Sequence, residues 1–183
     1  MAVSLLHTTK PALVIIDAQT KLLDVMRRAQ TIVDNTVRLL HLADQFDLPV
    51  VATEQYPRMM GRIVPEVSAR LPRQDAIEKM DFNCCAVDEF NDRLATTGVK
   101  TIVLAGAETH ICVLQTCLSL LEAGYAVHVP QDAVDSRTEE NWQVGIELMR
   151  QAGAVISSTE TEIFQVLGKA GTPEFKEMLR IVK

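Results

Sequence analysis

Thr101-Ile102-Val103-Leu104-Ala105-Gly106-Ala107-Glu108-Thr109-His110-Ile111-Cys112 decides how the chain is read. Thr101 to Ala105 is a short apolar run with the character of a buried strand, and Gly106 marks a turn. An apolar helical pattern then runs from Cys112 to Ala123 and stops at Gly124. A strand that turns straight into a helix places the first helical residue at the carboxyl edge of a parallel sheet. Unpaired N–H groups and partial positive charge collect there. Cys112 is therefore expected to be held partly as thiolate, the nucleophilic form.

The same alternation extends in both directions. Ala12 to Ile16 and Pro49 to Thr53 read as strands, with Thr31 to Phe46 helical between them. Tyr56 to Gly61 is a loop rich in Pro, Met and Gly, and Asp75 to Lys79 gives a short third strand. Beyond the helix Val87 to Thr96 and the central strand, Tyr125 to Val129 and Ala154 to Ser157 supply strands five and six. Helices are expected at Thr138 to Gln151, Thr159 to Leu167 and Pro173 to Ile181. Strands made of continuous apolar runs, alternating with helices, imply a parallel sheet covered on both faces. The expectation is one α/β domain over residues 1–183, a three-layer α/β/α sandwich around a six-stranded, mostly parallel Rossmann-like sheet.

Composition narrows the partners. Asp and Glu outnumber Lys and Arg by 24 to 18, and the −6 net charge carries no basic stripe, which argues against nucleic acid. No apolar run approaches the roughly 20 residues of a membrane helix, and Met1 to Lys10 lacks the pattern of a secretory leader. Four cysteines, at 84, 85, 112 and 117, suit neither a disulfide framework nor a zinc finger. A cytoplasmic, reducing compartment is the expectation.

In open α/β sheets the ligand crevice lies beyond the carboxyl ends of the strands. Asp17 follows the first strand, Lys79 ends the third, and Cys112 lies one turn past the fourth. Asp17 has the chemistry to take the thiol proton and return it to a leaving amine. Lys79 would stabilise both carboxylate and thiolate if it lay within a few ångström of them. Backbone N–H groups of the turn are expected to face a developing oxyanion. Attack of cysteine on a carbonyl gives an acyl-thioester and splits one hard hydrolysis into two easier steps.

These residues, as Ile15-Ile16-Asp17-Ala18-Gln19, Lys79 ahead of Phe82, and Gly106 to Val113, resemble the isochorismatase-like cysteine hydrolase family. The resemblance covers nearly the whole chain. Thr53 to Pro57, Asp132 to Arg137 and Pro173 to Glu177 are similar to its uncharacterised isochorismatase-domain subgroup. It implies a catalytic Asp17–Lys79–Cys112 triad, a cis peptide between Ala107 and Glu108, and oxyanion donors from the N–H groups of Glu108 and Cys112. It also implies assembly into a homo-oligomer. Nicotinamidases of the family carry an Asp-x-His metal motif after the second strand, where this chain has Glu54-Gln55-Tyr56. No metal and no cofactor are expected. True isochorismatases lack the cysteine, so the reaction that names the family is not the one expected here.

The resulting expectation is a hydrolase of a small amide or carbamoyl-type molecule, acting on C–N bonds through an acyl-cysteine. The alternative is a non-catalytic binding or regulatory protein that keeps the fold. Gln19, Tyr56, Phe82 and His110 are the substrate-pocket candidates. His110 is open between contacting Cys112 or substrate and facing a neighbouring subunit. Cys117, roughly 140° around the helix from Cys112, reads as core. Cys84 and Cys85 read as packing residues, with a vicinal redox pair as the alternative.

Overall fold

The computed structural model describes residues 6–72 and 75–182, and the first five residues of the Met1 to Lys10 stretch lie outside that range. Seven strands form one parallel sheet: β1 (Ala12–Ile16), β2 (Val50–Gln55), β3 (Ile77–Lys79), β4 (Thr101–Ala107), β5 (Ala126–Pro130), β6 (Val134–Asp135) and β7 (Val155–Ser157). Their order is β3-β2-β1-β4-β5-β7, with β6 pairing the far end of β4. The helices are α1 (Thr20–Leu23), α2 (Ala29–Gln45), α3 (Pro57–Met60), α4 (Pro65–Ser68), α5 (Asp88–Thr96), α6 (Leu114–Glu122), α7 (Glu139–Ala152), α8 (Thr159–Leu167) and α9 (Pro173–Val182). Among the described residues no helix is long and apolar enough to cross a membrane.

Strand β1 shows why the domain has three layers. Successive side chains on a strand point to opposite faces. Leu13 and Ile15 pack into a core with α2, α8 and α9, while Ala12, Val14 and Ile16 pack with α5, α6 and α7. Every residue of β1 is buried, as an apolar run between two helical layers requires. The amphipathic helices follow the same logic: Phe90 and Leu94 of α5 face inward, as do Ile146 and Met149 of α7.

The sequence reading needs adjustment at several points. Tyr56 to Gly61, expected as a loop, contains the one-turn helix α3. The strands expected at Pro49 to Thr53 and Thr101 to Ala105 run as Val50–Gln55 and Thr101–Ala107, so that Gly106 lies within β4. There are seven strands rather than six, because β6 is only two residues long and offers no periodicity to detect. The third strand begins at Ile77, not Asp75. Thr109 to Val113 form a π-helical turn, so regular α-helix starts at Leu114 rather than at Cys112.

Strand order reverses between β1 and β4, and the two carboxyl ends meet there at close quarters. Gly106 pairs with Ile16, donates its N–H to Ala133 O at 2.9 Å and has φ +119°. A Cβ added to Gly106 would lie 1.8 Å from Ile16 O, a backbone atom with nowhere to go. Gly106→Ala is therefore expected to cost about 3 kcal/mol or more through overpacking and an unfavourable φ. Urea unfolding would measure this, and a loss under 1 kcal/mol would show that the β1–β4 junction is looser than described. On the other side, Gly145 of α7 lies against the π-turn, with His110 N and Cα only 3.0 Å from where its Cβ would be. The turn carrying Cys112 is thus braced between the sheet and α7.

Candidate active site

Asp17 is the first residue past β1 and takes a left-handed conformation, φ +51°. That turn directs its carboxylate across the ends of the strands, where both oxygens are held. Thr53 Oγ1 donates to Oδ1 at 2.7 Å, and Lys79 Nζ donates to Oδ2 at 2.7 Å. β3 is two strand spacings from β1, roughly 10 Å, and the extended lysine side chain bridges that gap. Lys79 Nζ also donates to Gln55 Oε1 at 2.6 Å and reaches the carbonyls of Asp81 and Phe82 at 3.2 and 3.4 Å. Both side chains of the Asp17–Lys79 pair are fully buried.

Cys112 completes the group from the π-turn. Burial pushes its thiol well above the ordinary range; the Asp17 carboxylate adds to the rise and Lys79 opposes it. This corrects the expectation of a resting thiolate. The helix-terminus argument includes neither burial nor the carboxylate alongside, and those two influences win. Burial and the neighbouring Asp17 both favour the neutral thiol, next to the Lys79–Asp17 pair. Burial acts to lower the Lys79 ammonium, but Asp17 and the two nearby thiols, Cys84 and Cys112, more than offset this, and the net direction is up.

Three residues that sequence reasoning missed support the group. Gln55 accepts from Lys79 through Oε1, while its Nε2 donates to Met80 O at 2.8 Å, which fixes the orientation of the amide. Thr53 orients Asp17. Cys84, read from sequence as a packing residue, donates its thiol to Thr53 Oγ1 at 3.8 Å, so it stands directly behind Asp17; burial raises it to about 11. No spacing in the sequence marks any of the three. All four cysteines are free, including the adjacent Cys84 and Cys85.

A cavity of about 330 Å³ opens over Cys112. Leu22, Val25, Met60, Phe82 and Ile111 form apolar walls, with Gln55 and Glu108 at the polar part and Lys21 and Arg137 also lining it. The pocket candidates separate accordingly. Phe82 lines this cavity and is 53% exposed. Gln19 does not: its buried amide donates to Gln55 O and Gly61 O and accepts from Gln55 N, tying the loop after β2 to the sheet. Tyr56 lies outside it too, on a neighbouring cleft beside Glu78 and Met80. His110 shares a hydrogen bond between Nδ1 and Ser136 Oγ at 2.9 Å and does not line the cavity. The Ala107–Glu108 peptide is cis, and Glu108 opens the π-turn that ends at Val113.

The segment where nicotinamidases carry metal ligands is occupied by other contacts. Glu54 accepts from Ile63 N at 2.7 Å and from Arg62 Nη1 at 2.6 Å, and Gln55 is committed to Lys79. Among the described residues no cluster of three or more His, Cys, Asp or Glu is arranged to hold a metal ion.

Comparison with known proteins agrees with this architecture. The chain is 41% identical over 159 residues to the secreted isochorismatase effector Isc1 of Phytophthora sojae, covering 84% of this chain and 75% of that protein. It is 39% identical over 168 residues to isochorismatase domain-containing protein 2 of Bos taurus, covering 91% and 80%. Among solved structures, the MAR1 ribonuclease of Caenorhabditis elegans superposes with a TM-score of 0.88 at 34% identity, over 95% of this chain and 90% of that one. The YcaC gene product of Escherichia coli, described as an octameric hydrolase of unknown specificity, also gives 0.88, at 25% identity over 94% and 87%. The isochorismatase domain pattern matches residues 11–161, and the chain belongs to the isochorismatase family.

Proposed function

We propose that this protein is a hydrolase of a small amide or carbamoyl-type compound, working through an acyl-cysteine. The observation that carries the reading is the fully buried Lys79–Asp17 pair, 2.7 Å across, beside a thiol on a mostly apolar cavity. Membership of the isochorismatase family supports the hydrolase role.

Asp17 takes the Cys112 proton as sulfur adds to the substrate carbonyl, so the thiolate exists only during attack. The N–H groups of Glu108 and Cys112 receive the oxyanion. Collapse breaks the C–N bond, and the proton on Asp17 passes to the departing nitrogen. Water then enters and Asp17 takes one of its protons. Hydroxide cleaves the thioester, and the thiol recovers its proton as the acid leaves. Lys79 holds Asp17 in place throughout and favours its carboxylate form each time it gives up the proton. Self-association accompanies this reading: Val144 and Leu148 on α7 and Leu118 on α6 present exposed apolar surface, and the YcaC relative is octameric.

Mass spectrometry of the protein turning over a panel of small primary amides, ureides and carbamates tests the mechanism. An acyl mass on the Cys112 peptide is expected, with neither adduct nor turnover in Cys112→Ala. Full turnover by Cys112→Ala would sink the mechanism. A protein that only binds would instead retain the amides unchanged. The ribonuclease name of the C. elegans neighbour does not favour a phosphodiester substrate here, given the −6 charge and the apolar walls.

A further inference from the structure

Glu108 is 7% exposed yet lines the cavity beside Cys112. Its carboxylate is bound asymmetrically. Arg137 donates to Oε2 twice, from its backbone N at 3.3 Å and from Nε at 3.1 Å. Oε1 receives no hydrogen bond from any described residue and is not sealed off from the cavity. The residue is largely buried, but Oε1 faces the cavity without a protein donor, and a carboxylate oxygen in such a place takes its hydrogen bond from whatever enters. Arg137 anchors one oxygen, and the other remains for whatever occupies the pocket.

We infer that the Glu108 side chain is a specificity-determining group that accepts a hydrogen bond from the N–H of a primary carboxamide or ureido group, so that the substrate class carries a free NH₂ on the attacked carbonyl. This rests on the acyl-cysteine reading above. There, the backbone N–H of Glu108 serves the carbonyl oxygen, and its side chain supplies the acceptor that the amide nitrogen requires. One residue thereby presents the donor and acceptor that an amide's C=O and N–H demand. An ester or carboxylate oxygen in the nitrogen's place would bring lone pairs against Oε1 and be rejected. The apolar walls, Leu22, Val25 and Phe82 among them, leave the acyl side to hydrocarbon.

The test uses two electrophiles that differ at this point. Acrylamide and methyl acrylate each add a thiolate sulfur to the β-carbon and a proton to the α-carbon, with no leaving group. Only acrylamide has N–H donors. The ratio of Cys112 alkylation rates for the two, divided by the same ratio for glutathione, removes their intrinsic reactivity. Wild type is expected to favour acrylamide by at least about tenfold after this correction, the range for a hydrogen bond to a charged group. Glu108→Ala should return the ratio to the glutathione value, and Glu108→Gln, which keeps an acceptor without the charge, should fall between. An unfolded chain would react as glutathione does, so the variants are compared where urea unfolding shows them folded, and the intermediate ratio of Glu108→Gln carries the test if Glu108→Ala does not fold. A wild-type ratio equal to that of glutathione, an unchanged ratio in Glu108→Ala, or a Cys112 that reacts with neither probe would each overturn the inference. A preserved ratio with no acyl adduct from any amide would remove the hydrolytic mechanism and leave the recognition of N–H standing.

Discussion

Asp17→Asn is expected to lower turnover of a primary amide by about 10³–10⁴-fold while making Cys112 more, not less, reactive toward iodoacetamide at pH 7.5. The two effects diverge because Asp17 acts on the thiol in two ways. As a neighbouring negative charge it helps burial hold the Cys112 thiol up, opposed by Lys79. Its removal takes away an influence that raises the thiol and leaves the lysine's opposing one, so the resting thiolate fraction increases. As the proposed base, however, Asp17 is the carboxylate held by Lys79 beside the thiol, and it would both move the proton during attack and deliver it to the leaving nitrogen. An amide anion is a poor leaving group, so the lost acid step outweighs the gain in thiolate. Iodoacetamide needs no proton delivered, and it reads the thiolate alone. Parallel loss of alkylation and turnover would mean that Asp17 serves chiefly to hold the turn together.

The balance between what was legible in the sequence and what was not follows from range. The strands Ala12–Ile16 and Thr101–Ala107 are apolar runs whose burial is set by their own composition; the first stands where it is expected, and the second runs two residues past the expected end at Ala105. Asp17, Lys79 and Cys112 were identified by their places at strand ends together with the family resemblance. Their meeting depends on a strand order that brings residues 62 positions apart to 2.7 Å. Gln55 and Thr53 follow from the β2 register beside β1 and β3, which no local pattern encodes. Arg137 and Glu108 become partners only because β6 pairs with the last residues of β4, just before the turn. The π-turn adds a single residue to a helical start, too small a change for periodicity to register. The upward shift of the Cys112 thiol is illegible for a related reason: a helix terminus is local, whereas burial and the Asp17 charge are tertiary.

Lys79→Met should have the largest effect on stability, a loss of about 3–5 kcal/mol, because it leaves the Asp17 carboxylate buried without its cation. Asp17→Asn combined with Lys79→Met removes both charges and should recover much of that loss, since a matched neutral pair in the same volume has no unpaired ion to bury. Urea unfolding of wild type, both single variants and the double variant gives the coupling directly. The pH dependence has a defined sign. The folded Lys79 ammonium titrates above its ordinary value of 10.5, so its stabilising contribution is fully present below that pH and is lost as pH rises through the folded value. The gap between wild type and Lys79→Met should accordingly be level from pH 6 to about 9 and narrow only in strong alkali. Narrowing already between pH 7 and 8 would mean that the ammonium is not held by Asp17. If the double variant proves as stable as wild type yet inert toward amides, the buried pair adds nothing that a neutral core would not. Its retention then belongs to chemistry: a carboxylate kept charged, dry and aimed at Cys112 is what proton transfer from a reluctant thiol requires.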